Sequence, residues 1–191
     1  TLRTLYARAA RAFLHRDIDL THSLLASAFA LLSSPATPRD ALSDQRRKWD
    51  ILRITTEVTV YTSPPEDSAS IPASLRANAI LSGASLISSL HARSIRLFSP
   101  GAEVDAAYLP AQVVVTLALA SIKVFAPTVG RSLVEEWLSR RIQWQDPSGE
   151  DSYEKVLDVY CLSILPLLDE WEYAGEFLSY ESELPQESKQ V

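Results

Sequence analysis

The chain of 191 residues has no methionine, one cysteine, five glycines and no apolar run long enough to cross a bilayer. One cysteine excludes an intrachain disulfide framework, and a reducing compartment is the simple reading. With so little glycine there is no Gly-rich phosphate loop and no nucleophile elbow. The longest apolar stretch, AQVVVTLALASIKVFA, lies between Pro110 and Pro127 and is broken by Lys123. A transmembrane helix needs about 20 apolar residues. No signal peptide opens the chain. Because methionine is missing even at position 1, the chain is expected to be a segment excised from a longer protein, with any anchor or address outside it.

Residues for site chemistry are equally sparse. His15 and His22 lie across a turn and His91 stands apart, so no zinc-ligand spacing occurs. Cys161 falls on the inner face of an expected helix, where a thiol acts as a small hydrophobe. The acids around Asp169 have nothing apolar or basic beside them to split their pKa values for general acid–base work. The sequence therefore predicts no catalytic residue, no cofactor and no metal.

What is abundant is Ala and Leu, within a chain that is 47% hydrophobic. That composition favours helix and suffices for a core. Charge is unevenly spread. Residues 1–60 carry a net +3, residues 61–130 are neutral, and residues 131–191 carry a net −9. An acidic C-terminal third repels nucleic acid.

Periodicity predicts eight helices. The first spans 2–15, with Leu2, Tyr6, Ala9 and Phe13 on one face. The second reaches Leu32, with Leu20, Leu24, Leu25, Ala28, Leu31 and Leu32 inward. The third spans 41–61. Its ITTEVTVY segment has strand propensity, but Ile51, Ile54, Val58 and Tyr61 repeat at helical spacing. A fourth starts at Pro72 and runs to Ile95, and a fifth, apolar nearly all round and hence central, follows Pro110. The sixth begins at Pro127. The seventh, capped by Ser152, carries Val156, Leu157, Tyr160, Leu162, Ile164 and Leu165, and must kink or stop at Pro166. The eighth covers 171–180, where Ala174 and Gly175 are small enough for a close helix crossing. Helices 1–2, 5–6 and 7–8 read as antiparallel hairpins. The expected architecture is all-α, stacked hairpins in a tetratricopeptide-like bundle or short solenoid, with a single domain over 1–180 and a disordered acidic tail over 181–191.

QRRKW and SRRIQW each set arginines beside a tryptophan. On an acidic chain these suit a protein interface better than RNA. Two edges are expected to bind a partner: the basic run Arg46, Arg47 and Lys48, and the acidic set Glu135, Glu136, Asp169, Glu170, Glu172 and Glu176.

The C-terminal half is ordered as Leu109-Pro110 before an apolar helix, SLVEEWL, a loop with Asp146-Pro147, Tyr153, ILPLL with Pro166, and EYAGEFL with Ala174, Glu176 and Leu178. Together with AARAFLHRDIDLTHSLLASAFALL near the start, this resembles the cytosolic domain of the peroxin-26 / peroxin-15 family, over residues 109–178 and, more loosely, 5–32. The resemblance implies a non-enzymatic adaptor that recruits the peroxin-1/peroxin-6 AAA ATPases to the cytosolic face of the peroxisomal membrane, mainly through peroxin-6, so that the import receptor is recycled. It also implies a C-terminal membrane anchor, which this sequence does not contain. The alternatives are a tetratricopeptide-like adaptor reading peptides in a groove of Asn, Arg and Lys, and a small helical enzyme.

Overall fold

The computed structural model describes residues 1–33, 35, 37, 40–66, 71–101, 104–141 and 150–181. Among these the fold is an all-α bundle without strands. Its segments are α1 (Leu2–Leu14), α2 (Ile18–Leu31), α3 (Ser43–Thr62), α4 (Ala73–Asn78), α5 (Gly83–Phe98), α6 (Ala111–Lys123), α7 (Pro127–Arg141), α8 (Glu150–Val159), the single turn α9 (Leu165–Leu167) and α10 (Trp171–Tyr180). The expected loop around Asp146-Pro147 and the tail beyond Glu181 lie outside the described residues.

The β-branched run in α3 stays helical, with its threonine hydroxyls satisfied within the helix. Thr55, Thr56 and Thr62 each donate a hydroxyl proton to the carbonyl four residues back, at 2.7, 2.7 and 2.9 Å. Ile54 and Val58 meanwhile enter the core. Burial thus overrides strand propensity. α3 joins two apolar clusters: Trp49 and Leu52 pack with α1 and α2, while Ile54 and Val58 pack with α5 to α10. As its all-round apolarity predicts, α6 is central. It packs against α3, α5, α7 and α8, with Val113, Val114 and Leu117 fully buried.

Helices 1–2, 5–6 and 7–8 of the sequence reading correspond to α1–α2, α6–α7 and α8/α9–α10, and the three pairs turn in the same way. Asp17 N–H donates to Ala12 O and Arg16 N–H to Phe13 O. Ala126 N–H donates to Ser121 O and Phe125 N–H to Ile122 O. Glu170 N–H donates to Leu165 O and Asp169 N–H to Pro166 O. This is the Schellman pattern, and it puts Arg16, Phe125 and Asp169 in the left-handed region at φ of 60°, 59° and 63°. None is glycine, so each turn carries a cost of about 1–2 kcal/mol.

Several boundaries differ from expectation. The predicted fourth helix is two, α4 and α5, separated at 79–82. Ser82 caps α5 by accepting from Ser85 N–H at 3.1 Å, and Tyr61 OH donates to Leu81 O across the break at 3.0 Å. α8 begins at Glu150, so Ser152 lies inside the helix and is not its cap. Leu31 faces solvent. The helix does not stop at Pro166. Residues Tyr160–Ile164 widen into a π-helix, closed by Leu165 N–H donating to Tyr160 O, and the chain runs through Pro166 to Leu167. Widening accommodates a proline that has no N–H and would press on the preceding turn. The phase change leaves Leu162 outside, while Ile164 and Leu165 remain buried.

Ala174 is buried, as a crossing residue should be, but its neighbour Gly175 is exposed. A Cβ built at Gly175 meets nothing within 4 Å. Gly175→Ala is therefore expected to stabilise the fold by about 0.5–1 kcal/mol through helix propensity, read as a rise in thermal midpoint. A fall would mean that α10 crosses a neighbour at this residue.

Candidate docking surface

The basic edge is largely used internally. Arg46, expected at a binding surface, is instead buried. Its Nε donates to Ser33 O at 2.8 Å, and its two terminal nitrogens donate to Asp40 Oδ1 and Oδ2, both at 2.6 Å. This fork ties the segment after α2 to the start of α3. The Arg46 guanidinium holds the Asp40 carboxyl down at about 2. Arg47 pairs with Asp44 at 2.9 Å, and only Lys48 is fully outward. Trp49 is buried against Tyr6, edge to face at 5.3 Å. The second arginine pair is also engaged. Arg140 reaches Asp105 at 3.1 Å, and Arg141 lies over Tyr153, 3.6 Å from the ring centroid. Trp144 lies outside the described residues.

The acidic edge divides into an inner and an outer part. On the inner side, Arg131 of α7 donates through Nε to Glu135 at 2.7 Å and through Nη1 to Glu170, and its guanidinium lies 5.4 Å from the Tyr173 ring centroid. These partners raise its pKa above the ordinary value despite some desolvation, the largest contribution being the Glu135 hydrogen bond. Tyr160 OH donates to the same Glu135 oxygen at 2.7 Å. Burial works against the Glu135 charge, but the hydrogen bonds from Arg131 and Tyr160 outweigh it and hold the carboxyl below its usual range. The Tyr160 phenol is pushed up, first by burial and then by donating to Glu135. Glu136 stands 3.7 Å from Arg140. Glu135 and Glu170 are thus already neutralised, whereas Asp169, Glu172 and Glu176 point outward.

The outer face of α10 also carries aromatics that the sequence reading passed over. Trp171, Tyr173 and Tyr180 are exposed. Tyr173, Glu176, Phe177, Tyr180 and Glu181 line an open cleft of about 360 Å³. The legible signal was the run EYAGEFLSYE, where acids at 172, 176 and 181 and aromatics at 173, 177 and 180 recur about once per helical turn. A second cleft of about 250 Å³ lies between the α1–α2 turn and the end of α3. It is mostly apolar, with Arg16 at its edge. Neither matches a groove of Asn, Arg and Lys.

The residues considered for chemistry are dispersed. Cys161 sits in the apolar core, and burial pushes its thiol up to about 11, far from a thiolate at neutral pH. His22 Nε2 is 2.9 Å from the Ser74 hydroxyl. Burial lowers the His91 pKa. Among the described residues no group of three or more His, Cys, Asp or Glu side chains is placed to hold a metal ion. No described helix is long and apolar enough to cross a membrane. No family model, no curated protein and no solved structure matches the chain.

Proposed function

We propose that the chain is a non-enzymatic adaptor that docks the peroxin-1/peroxin-6 AAA ATPase complex, through peroxin-6, at the cytosolic face of the peroxisomal membrane. The observation that carries the reading is the resemblance over 109–178, with its motifs in the family's order. Several of these motifs lie together in the bundle. Trp137 of SLVEEWL donates its indole N–H to Leu109 O at 2.9 Å, just before Pro110 opens α6. Ala174 of EYAGEFL is buried while Glu176 stays outside. Exposed aromatics beside Glu172 and Glu176, which form no ion pair among the described residues, also suit a protein-binding face, since aromatic anchors carry much of the energy of interfaces.

Size exclusion of the chain with the peroxin-1/peroxin-6 complex in the presence of ATP tests the proposal. Co-elution is expected. Double charge reversal, Glu172→Lys with Glu176→Lys, should weaken binding and change its salt dependence. Separate elution of the unmodified chain at micromolar concentration removes the adaptor reading.

A further inference from the structure

We propose that the cleft on α10 receives an arginine side chain from a basic helical segment of a protein partner. The inference rests on the adaptor reading in treating this face as a docking face, but the chemistry comes from the cleft itself.

The molecule already uses this recognition twice beside the cleft. On one side the Arg131 guanidinium lies over Tyr173 while it bonds the glutamates Glu135 and Glu170. On the other side the Arg141 guanidinium lies over Tyr153, whose hydroxyl donates to Glu181 at 2.7 Å. Each site pairs a tyrosine face with a nearby carboxylate. Between them, Tyr180 and Glu176 offer the same pair on the outer surface, and Glu176 forms no ion pair among the described residues. Phe177 forms the floor, held edge to face against Tyr160 at 5.6 Å. Because Tyr160 is anchored to Glu135 in α7, the floor is fixed to the bundle.

Charge complementarity selects the occupant. Glu176 and Glu181 line the cleft and Glu172 is exposed one turn before Glu176, so an acidic or purely apolar segment is disfavoured by repulsion or by stranded carboxylates. Guanidinium suits the site better than ammonium. It is planar, stacks on tyrosine, and can present two N–H groups to one carboxylate while keeping the stack. The exposed carboxylates Glu172 and Glu176 lie one helical turn apart on α10. A partner helix crossing α10 side by side would therefore present arginines four residues apart.

The probe is a fluorescein-labelled alanine-based helical peptide with two arginines four residues apart, titrated into the protein at low salt. Two control peptides carry glutamine or lysine at those positions. Ring resonances of Tyr173 and Tyr180 are followed alongside anisotropy. Saturable binding of the arginine peptide is expected, with shifts at both rings. Glutamine should abolish it, and lysine should weaken it several-fold. Glu176→Lys and Tyr180→Ala change exposed side chains, and circular dichroism checks that both variants are folded. Each should weaken the arginine peptide by about five- to tenfold. Equal binding of the arginine and glutamine peptides, or unchanged affinity in both variants, overturns the proposal. Equal binding of lysine overturns the guanidinium stack. Peptide binding without co-elution of the peroxin complex would retain the cleft and remove the adaptor reading, and co-elution without peptide binding would do the reverse.

Discussion

Replacing Arg53 with alanine is expected to lower the stability of the bundle by about 3–5 kcal/mol, because it leaves a carboxylate buried without its counter-ion. Asp50 is completely buried on α3, and one of its oxygens pairs with Arg53 Nη2. Arg53 also reaches the Ser94 hydroxyl of α5 at 3.3 Å and lies over the Phe29 ring of α2, 5.0 Å from its centroid. One turn further along α3, Glu57 accepts two bonds from Arg93 of α5, at 2.9 and 2.6 Å, and one from Asn78 of α4 at 2.9 Å. These charges occupy the junction of α2, α3, α4 and α5. Burial raises the Asp50 pKa, and the Arg53 charge opposes that rise most strongly. The raised Asp50 pKa therefore contributes stability that is fully present below the ordinary 3.8 and is lost as pH rises through the folded-state value. Removing Arg53 raises that pKa further, so the loss should be larger at pH 7 than at pH 4 in urea unfolding. An equal loss at both would mean that Arg53 acts only through its packed stem. Asp50→Leu with Arg53→Met should recover most of the stability, since apolar replacement of a buried pair is often neutral or better. Asp40 has the opposite sign. Its depressed pKa contributes stability above the ordinary 3.8 that is lost as pH falls from there to about 2.

The sequence made the helical pattern legible wherever a single physical signal dominated. Pro110 and Pro127 announced two helix starts, and the all-round apolarity of α6 announced its central place. ITTEVTVY was read correctly because its apolar spacing outweighed its propensity. Errors arose where tertiary contacts supplied the decisive term. The break at 79–82 has only a weak local mark, the Ser82-Gly83 cap, and is held by Tyr61 from α3 and by the end of α6. Charge alone could not separate Arg46, consumed by Asp40 and Ser33 O, from Lys48, which is outward. On the acidic edge the reading found the carboxylates but not Arg131, which divides them into neutralised and available groups. Tyr173 and Tyr180 were missed because an aromatic at helical spacing is by default assigned to a core, and only the packing shows that they are outside.

Gly83→Ala is expected to destabilise the fold by about 1–3 kcal/mol, although helix propensity alone favours alanine, weakly at this first position of α5. A Cβ at Gly83 would stand 2.3 Å from Val124 O and 3.1 Å from Val124 Cγ2. The carbonyl cannot easily retreat, because it belongs to the turn locked by Phe125 N–H on Ile122 O and Ala126 N–H on Ser121 O. Moving it would disturb the end of the central helix and a turn that already holds Phe125 in the left-handed region. Gly130 is a softer version of the same constraint. A Cβ there would stand 2.0 Å from Ser121 Oγ, an atom at the end of a short side chain, but that hydroxyl is buried and donates to Ala118 O at 2.6 Å. Thermal melts of Gly83→Ala and Gly175→Ala together separate packing from propensity. For a chain of this size, about 2 kcal/mol lowers the midpoint of the first by roughly 4–8 °C, while the second should rise by a few degrees. A rise in both would show that α5 does not press against the end of α6, and that the bundle tolerates a side chain where the helices meet.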